Sequence, residues 1–175
     1  MNLPAAMRRL MARKPPSAPA DALPAIRRSS IALRLLIVDD EEDVRAALSA
    51  LLRAVGHHTR VAKSGAEALD LILDEPFDIM LCDIRMAEMS GLDLVPQALH
   101  LDANLAVLML TGINEIETAS EALARGAMDY LVKPIELSDL EEAIHRAAQR
   151  RQFDMDNRAI EDVSEVRGAR RLVSR

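Results

Sequence analysis

The sequence predicts a doubly wound α/β fold, a parallel sheet with helices on both faces. Two observations predict it. Between Leu33 and Arg151, five short apolar runs recur, and each is followed by a helical pattern. Parallel strands need such crossovers, since the chain must return to the starting edge before it can pair again. The composition, 50% hydrophobic and 29% charged over 175 residues, is that of a chain able to bury one ordinary core. Aromatics are only 2% with no Trp, so that core is aliphatic.

The elements follow in order. Leu35-Leu36-Ile37-Val38 is a continuous apolar run, the mark of a strand covered on both faces. It ends in Asp39-Asp40-Glu41-Glu42-Asp43, and a helix follows with Val44, Ala47, Leu48, Leu51, Leu52 and Val55 on one face. Gly56 is the natural stop beyond its C-cap. His58 to Ala62 reads as a short second strand, and Ser64-Gly-Ala-Glu67 as a capping box opening a helix through Leu73. Phe77 to Cys82 is a third strand, ending at Asp83. After a loop closed by Ser90-Gly91 comes a helix with Leu92, Val95 and Leu99 inward and Pro96 expected in its first turn. Leu105 to Leu110 is the fourth strand, ending at Thr111-Gly112, and a helix runs on to Gly126. Met128 to Val132 is the fifth, ending at Lys133-Pro134; Ser138-Asp-Leu-Glu141 then reads as a second capping box opening a last helix through about Arg151.

The ends of the chain differ from this body. Residues 1–32 are expected to be a disordered arm, with five of the eight prolines and six Lys/Arg against one acid in the first thirty residues. Leu3, Met7, Leu10 and Met11 fall on one helical face there, which could suit a partner or a membrane surface; a frayed tail is the plainer reading. Residues 31–149 carry nine basic residues against 22 acidic ones, a poor generic nucleic-acid binder and a reasonable host for a divalent cation or a basic partner. The single cysteine, Cys82, excludes a disulfide framework. No apolar run is long enough to cross a membrane and no signal peptide is evident, so a cytoplasmic protein is expected.

In a doubly wound sheet the ligand site lies at the carboxyl ends of the strands. Those ends deliver Asp39 and Asp40, Asp83, Thr111 and Lys133. Three crowded carboxylates repel one another. Mg²⁺, which prefers hard oxygens and an open hydrated sphere, removes that conflict. One oxygen of Asp83 can then act as a nucleophile toward phosphorus, with the metal, Lys133 and the Thr111 hydroxyl neutralising the group in flight.

Four stretches, IVDDEEDVR at 37–45, LCDIRMAEMSG at 81–91, LMLTG at 108–112 and GAMDYLVKP at 126–134, resemble the receiver domain of bacterial two-component response regulators. The resemblance spans Leu35–Arg151, about two thirds of the chain, within an expected domain at 33–151, and implies a flavodoxin-like sheet of order 2-1-3-4-5. It implies that Asp83 is the phosphoacceptor and one of the metal residues, that Asp40 ligates Mg²⁺ directly and Asp39 directly or through water, and that Arg85 offers the metal its backbone carbonyl. Lys133 would bind the phosphoryl oxygens or Asp83, Thr111 and Tyr130 would form the switch, and the Lys133–Pro134 peptide would be cis. The implied donors are a sensor histidine kinase or a phosphotransfer protein, and the implied output is a change of protein partner. The resemblance implies no enzymatic activity beyond the domain's own phosphorylation and dephosphorylation. Two positions depart from the pattern. Ala87 stands where the family often has Pro, and Ile113 is apolar where a polar side chain would position water, which predicts slow self-dephosphorylation.

Plainer readings stand beside these. Asp39 and Asp40 alone would read as helix N-terminal acids, Thr111 as a turn residue and Tyr130 as packing. His57, His58 and His145 read as surface residues, and Cys82 as a buried small hydrophobe. Residues 152–175 are expected to be a charged tail or a helix extension through Phe153, Ile160 and Val163, with a homodimer or partner helix as the functional alternative. They are too few for an output domain, so a stand-alone receiver without direct DNA binding is expected. The alternatives are a phosphorylation-independent scaffold, a fragment of a longer regulator, and an aspartyl-phosphate phosphohydrolase; the last would want an acid where Arg85 stands.

Overall fold

The computed structural model describes residues 31–112 and 116–172. All of the expected arm except its last two residues, and Ile113, lie outside the described residues. Five strands, β1 (Arg34–Val38), β2 (His58–Ala62), β3 (Ile79–Asp83), β4 (Ala106–Thr111) and β5 (Asp129–Val132), form one parallel sheet of order β2-β1-β3-β4-β5. Between and after them run α1 (Glu42–Ala54), α2 (Gly65–Asp74), α3 (Gly91–Leu101), α4 (Ile116–Ala124) and α5 (Leu137–Leu172).

The two-residue alternation of a strand divides the core into two layers. Leu35, Ile37, Ile79, Leu81, Leu108 and Leu110 pack under α1 and α5, against Leu48, Leu52, Leu140 and Ile144. Leu36, Val38, Met80, Cys82, Val107 and Met109 pack on the opposite face, against Ala68 of α2, Leu94, Val95 and Ala98 of α3, and Ala122 of α4. The sheet positions are fully or almost fully removed from solvent, at about 1.5–3 kcal/mol of stabilisation for each large side chain. Of the first helix's expected face, Ala47 alone turns out to be exposed; Val44 and Leu51 are half-buried and Leu48, Leu52 and Val55 buried.

Helix ends follow the expected chemistry in part. The Ser64 hydroxyl accepts from the Glu67 N–H at 3.3 Å, while the Glu67 carboxylate reaches back to the N–H of Lys63, one residue before the cap. Ser90 caps α3 in the same way through Asp93. Gly56, at φ 103°, takes the left-handed turn that ends α1.

Four expectations are corrected. Pro96 is the sixth residue of α3, not part of its first turn. The second capping box does not form: Leu140 N–H bonds the Glu136 carbonyl at 3.1 Å, so α5 starts at Leu137 and Ser138 lies inside it. The earlier start lets Ile135 and Leu137 join the apolar layer. Next, α5 does not stop near Arg151 but runs to Leu172, so of the two readings of 152–175 the helix extension is the one formed; the sequence holds a reason, since no Gly or Pro occurs from Ile135 to Arg167. Beyond Arg151 the helix is tied to the turn before β4. Arg151 donates to the Asn104 carbonyl at 2.8 Å and pairs with Asp78 at 3.1 Å. Arg158 donates to the Ala103 carbonyl and to Asn104 Oδ1, at 2.9 and 2.7 Å.

The fourth correction is His57, which is buried rather than on the surface. Its Nδ1 accepts from the Leu33 N–H at 3.2 Å, fixing the entry to β1. That bond needs an unprotonated Nδ1. Burial holds the imidazole pKa below its usual 6.5, with Glu141 opposing and His58 assisting. The fold therefore favours neutral His57, so its contribution is present above pH 6.5 and lost as pH falls through the lowered value. His57→Asn keeps an acceptor without a titrating group. Urea unfolding at pH 7 and pH 5 is expected to show a smaller loss of stability on acidification for the variant than for the wild type.

Candidate functional site

The register of the sheet sets the site. Val38 lies level with Cys82, Asp83 with Leu110, and Thr111 with Val132, so Asp39, Asp83, Thr111 and Lys133 all arrive at one edge. Backbone bonds extend the pairing past the strand ends: Asp39 N–H to Ala62 O at 3.2 Å, Ile84 N–H to Leu110 O at 3.1 Å, and Lys133 N–H to Thr111 O at 2.7 Å.

At that edge the Lys133 ammonium donates to Asp83 Oδ1 at 2.7 Å and to Asp39 Oδ2 at 3.0 Å. Both carboxylates are buried, Asp39 entirely and Asp83 at 7% exposure. Asp39 Oδ1 also accepts from the Glu41 N–H at 2.9 Å, and its carbonyl accepts from the Arg45 guanidinium at 2.8 Å. The backbone N–H of Arg85 bonds Asp83. Burial raises the Asp83 pKa above the ordinary 3.8, against the lowering by Lys133 and with help from the Asp39 charge. For Lys133, burial works to lower the pKa, but its bonds to Asp83 and Asp39 prevail and raise it, so it remains a cation.

The remaining residues occupy distinct places. Asp40 is exposed and stands outside the lysine-bridged set; its Oδ2 accepts from the Ala87 N–H at 3.2 Å, which pins the loop after β3. Thr111 is buried and donates to the Gly112 carbonyl at 3.3 Å. Tyr130 is half-buried and packs on the layer beneath α2, α3 and α4. Thr111 follows Val107 and Met109 by alternation, so it shares that face with Tyr130. Asp39 and Asp83 continue the rows on the α1 and α5 face. The Lys133–Pro134 peptide bond is cis. Cys82 is buried beside Asp83, and burial together with the Asp83 and Asp39 charges pushes its thiol pKa up, leaving a small inert hydrophobe.

Gly91 has a part the sequence showed only as a turn signal. Its N–H bonds the Ile84 carbonyl at 2.8 Å, and a Cβ at this position would run into the carbonyl of Asp83. Helix α3 thus starts directly against the backbone of the strand that carries Asp83.

Among the described residues no group of three or more His, Cys, Asp or Glu side chains is gathered at metal-binding spacing. The donor chemistry nonetheless suits Mg²⁺. The site offers hard carboxylate oxygens, and two buried carboxylates share a single ammonium, which leaves uncompensated negative charge. Among the described residues no helix is long and apolar enough to cross a membrane.

A doubly wound sheet of this order, with an Asp–Lys–Asp unit at its carboxyl edge, defines a receiver-type domain. Comparison with known proteins agrees. The sequence profile of the response regulator receiver domain matches residues 35–145, and the chain belongs to that family. It is 40% identical over 113 residues, 65% of its length, to the transcriptional regulatory protein ZraR of Escherichia coli K12, of which that match covers 26%. It is 35% identical over 147 residues to the response regulator protein PilR of Pseudomonas aeruginosa, covering 81% of this chain and 33% of that one. The chain thus spans about a quarter to a third of the curated relatives it matches. Among solved structures, a receiver domain protein from Clostridium thermocellum superimposes with a TM-score of 0.66 at 30% identity, over 70% of this chain and 98% of that one. The receiver domain of NtrX from Brucella abortus does so with a TM-score of 0.63 at 34% identity, over 66% and 98%. The chain is a receiver domain of the two-component response regulator type, and membership implies a role in phosphorelay signalling.

The raised Asp83 pKa carries a stability consequence. Such a carboxyl favours the folded state when protonated, an advantage full below 3.8 and lost as pH rises through the raised value. At pH 7 the charged form therefore weighs against folding. Asp83→Asn is expected to unfold at higher urea concentration than the wild type at pH 7, with the gap narrowing toward pH 4.

Proposed function

We propose that this domain accepts a phosphoryl group on Asp83 from the phosphohistidine of a sensor histidine kinase or phosphotransfer protein, in a Mg²⁺-dependent step. The observation that carries the reading is the single ammonium of Lys133 held between Asp83 and Asp39, at 2.7 and 3.0 Å, by residues 50 and 94 positions away in the chain.

In the transfer, a carboxylate oxygen of Asp83 attacks phosphorus as the phosphorus–nitrogen bond of the donor breaks. The electron pair stays on the donor imidazole, which takes up a proton. Lys133 already holds one Asp83 oxygen, which fixes the carboxyl orientation and keeps a positive charge beside the arriving phosphoryl oxygens. Burial limits the contact of the Asp83 side chain with bulk water. Asp39, Asp40 and Asp83, with the Arg85 backbone carbonyl, would hold Mg²⁺. When bound, the ion neutralises phosphoryl oxygens and offsets carboxylate repulsion.

The proposed readout is the edge of the domain formed by α4, β5 and α5. Thr111 would hydrogen-bond the phosphoryl group and Tyr130 would turn inward with it, changing that surface for a downstream protein partner. The acidic body argues for a protein partner and against direct DNA contact. A kinase donor places the domain in the cytoplasm.

The test is incubation with phosphorylated sensor kinases or acetyl phosphate and Mg²⁺, read by intact mass. One phosphoryl group is expected on the wild type and none on Asp83→Asn, with transfer slowed roughly a hundredfold or more in Lys133→Ala. A phosphoryl group acquired equally by Asp83→Asn, or no acquisition from any donor while partner binding persists, would favour the phosphorylation-independent scaffold.

A further inference from the structure

We propose that Arg125 is a latch that holds the C-terminal end of α4 against the start of α3, and that loosening this latch is part of the response to phosphoryl transfer at Asp83. The inference rests on the function proposed above and adds its regulation.

Among the described residues of α4, Ala122 is the only buried side chain, while Leu123 is 39% exposed. Over 120–124, where every side chain is described, Ala122 alone is buried, so the core gives the C-terminal end of α4 little hold. A further contact is needed to fix that end.

Arg125, in the turn directly after α4, supplies that. One guanidinium nitrogen donates to Asp93 Oδ1 at 3.0 Å and to the Leu92 carbonyl at 3.3 Å, both in the first turn of α3. The other donates to Glu121 Oε1 at 2.6 Å, within α4 itself. The Leu92 carbonyl has a particular reason to accept. It is the group that the N–H of residue 96 would bond in a regular helix, and residue 96 is proline. Pro96 leaves a carbonyl facing outward, and Arg125, 33 residues beyond Leu92, takes it. The next residue, Gly126, packs so close to Leu99 of α3 that a Cβ there would lie 2.6 Å from the leucine methyl. The C-terminal end of α4 is thus pinned to α3 at two neighbouring points.

The α3 end of this contact leads to the site. Asp93 also accepts from the Ser90 hydroxyl at 2.9 Å and donates its N–H to that oxygen at 3.2 Å, completing the helix cap. Gly91, between them, packs on the Asp83 backbone without room for a side chain. At its other end, α4 follows Thr111 by only a few residues. Motion of Thr111 would therefore swing α4 about the Arg125 attachment, and the strength of that attachment would set how readily it swings. Exposed ion pairs are individually weak, which suits a contact that must open.

The experiment uses two readouts on the full chain. The first is amide hydrogen exchange across 116–124. The second is a beryllofluoride titration with Mg²⁺, followed by the fluorescence of Tyr130, the sole Tyr in a chain without Trp. Arg125→Ala is expected to speed exchange in α4 while leaving β1 unchanged, and to lower the beryllofluoride midpoint roughly two- to fivefold. Asp93→Ala should act in the same direction, and the double variant should add less than the sum, because the two share one contact. Unchanged exchange in α4, or an unchanged midpoint in a wild type that responds to beryllofluoride, overturns the latch. A wild type that gives no response refutes instead the phosphoryl-accepting reading and with it this regulation, while the exchange readout still decides whether Arg125 fixes α4.

Discussion

Two buried aspartates share one lysine, and the rest of the molecule is arranged so that they can. Asp39 and Asp83 end adjacent strands, and Lys133 closes a third strand two places further across the sheet. Burial disfavours the charged form of Asp83, and the ammonium beside it works the other way. One ammonium serves two carboxylates, and burial, helped by the Asp39 charge, raises the Asp83 pKa in spite of it.

The sheet also keeps two sets of polar side chains apart. The alternation that sends Asp39 and Asp83 to the α1 and α5 side sends Thr111 and Tyr130 to the other, where α4 lies. The two sets meet only at the strand ends. In the proposed function, a change of charge at Asp83 would reach the opposite layer through the β4 and β5 termini. Where the first layer is closed by Leu140 and Ile144 of α5, the second includes Ala122 of α4, whose C-terminal end Arg125 ties to α3.

Much of this was legible in the sequence, because apolar strands that stop abruptly at Asp39, Asp83, Thr111 and Lys133 announce both the sheet and its reactive edge. What escaped depends on contacts between distant residues. His57 looks like half of a surface pair until the Leu33 N–H, 24 residues earlier, is found on its ring. Pro96 resembles a first-turn proline, and nothing in the periodicity links it to Arg125. Asp40 shares a dipeptide with Asp39, yet it turns to Ala87 across the crevice, because the chain there is already leaving the strand. The length of α5 was readable in principle: no breaker follows Ile135 for more than thirty residues, but the charged composition suggested fraying. Arg151 and Arg158, tied to the turn before β4, explain why it does not fray there.

The most direct test of the shared-lysine account is a carboxyl-carbon NMR titration of Asp83 in the wild type and in Lys133→Met. The account predicts a wild-type pKa above 3.8 that climbs further once the ammonium is removed. An Asp83 that titrates at the same pH with and without Lys133 would contradict it.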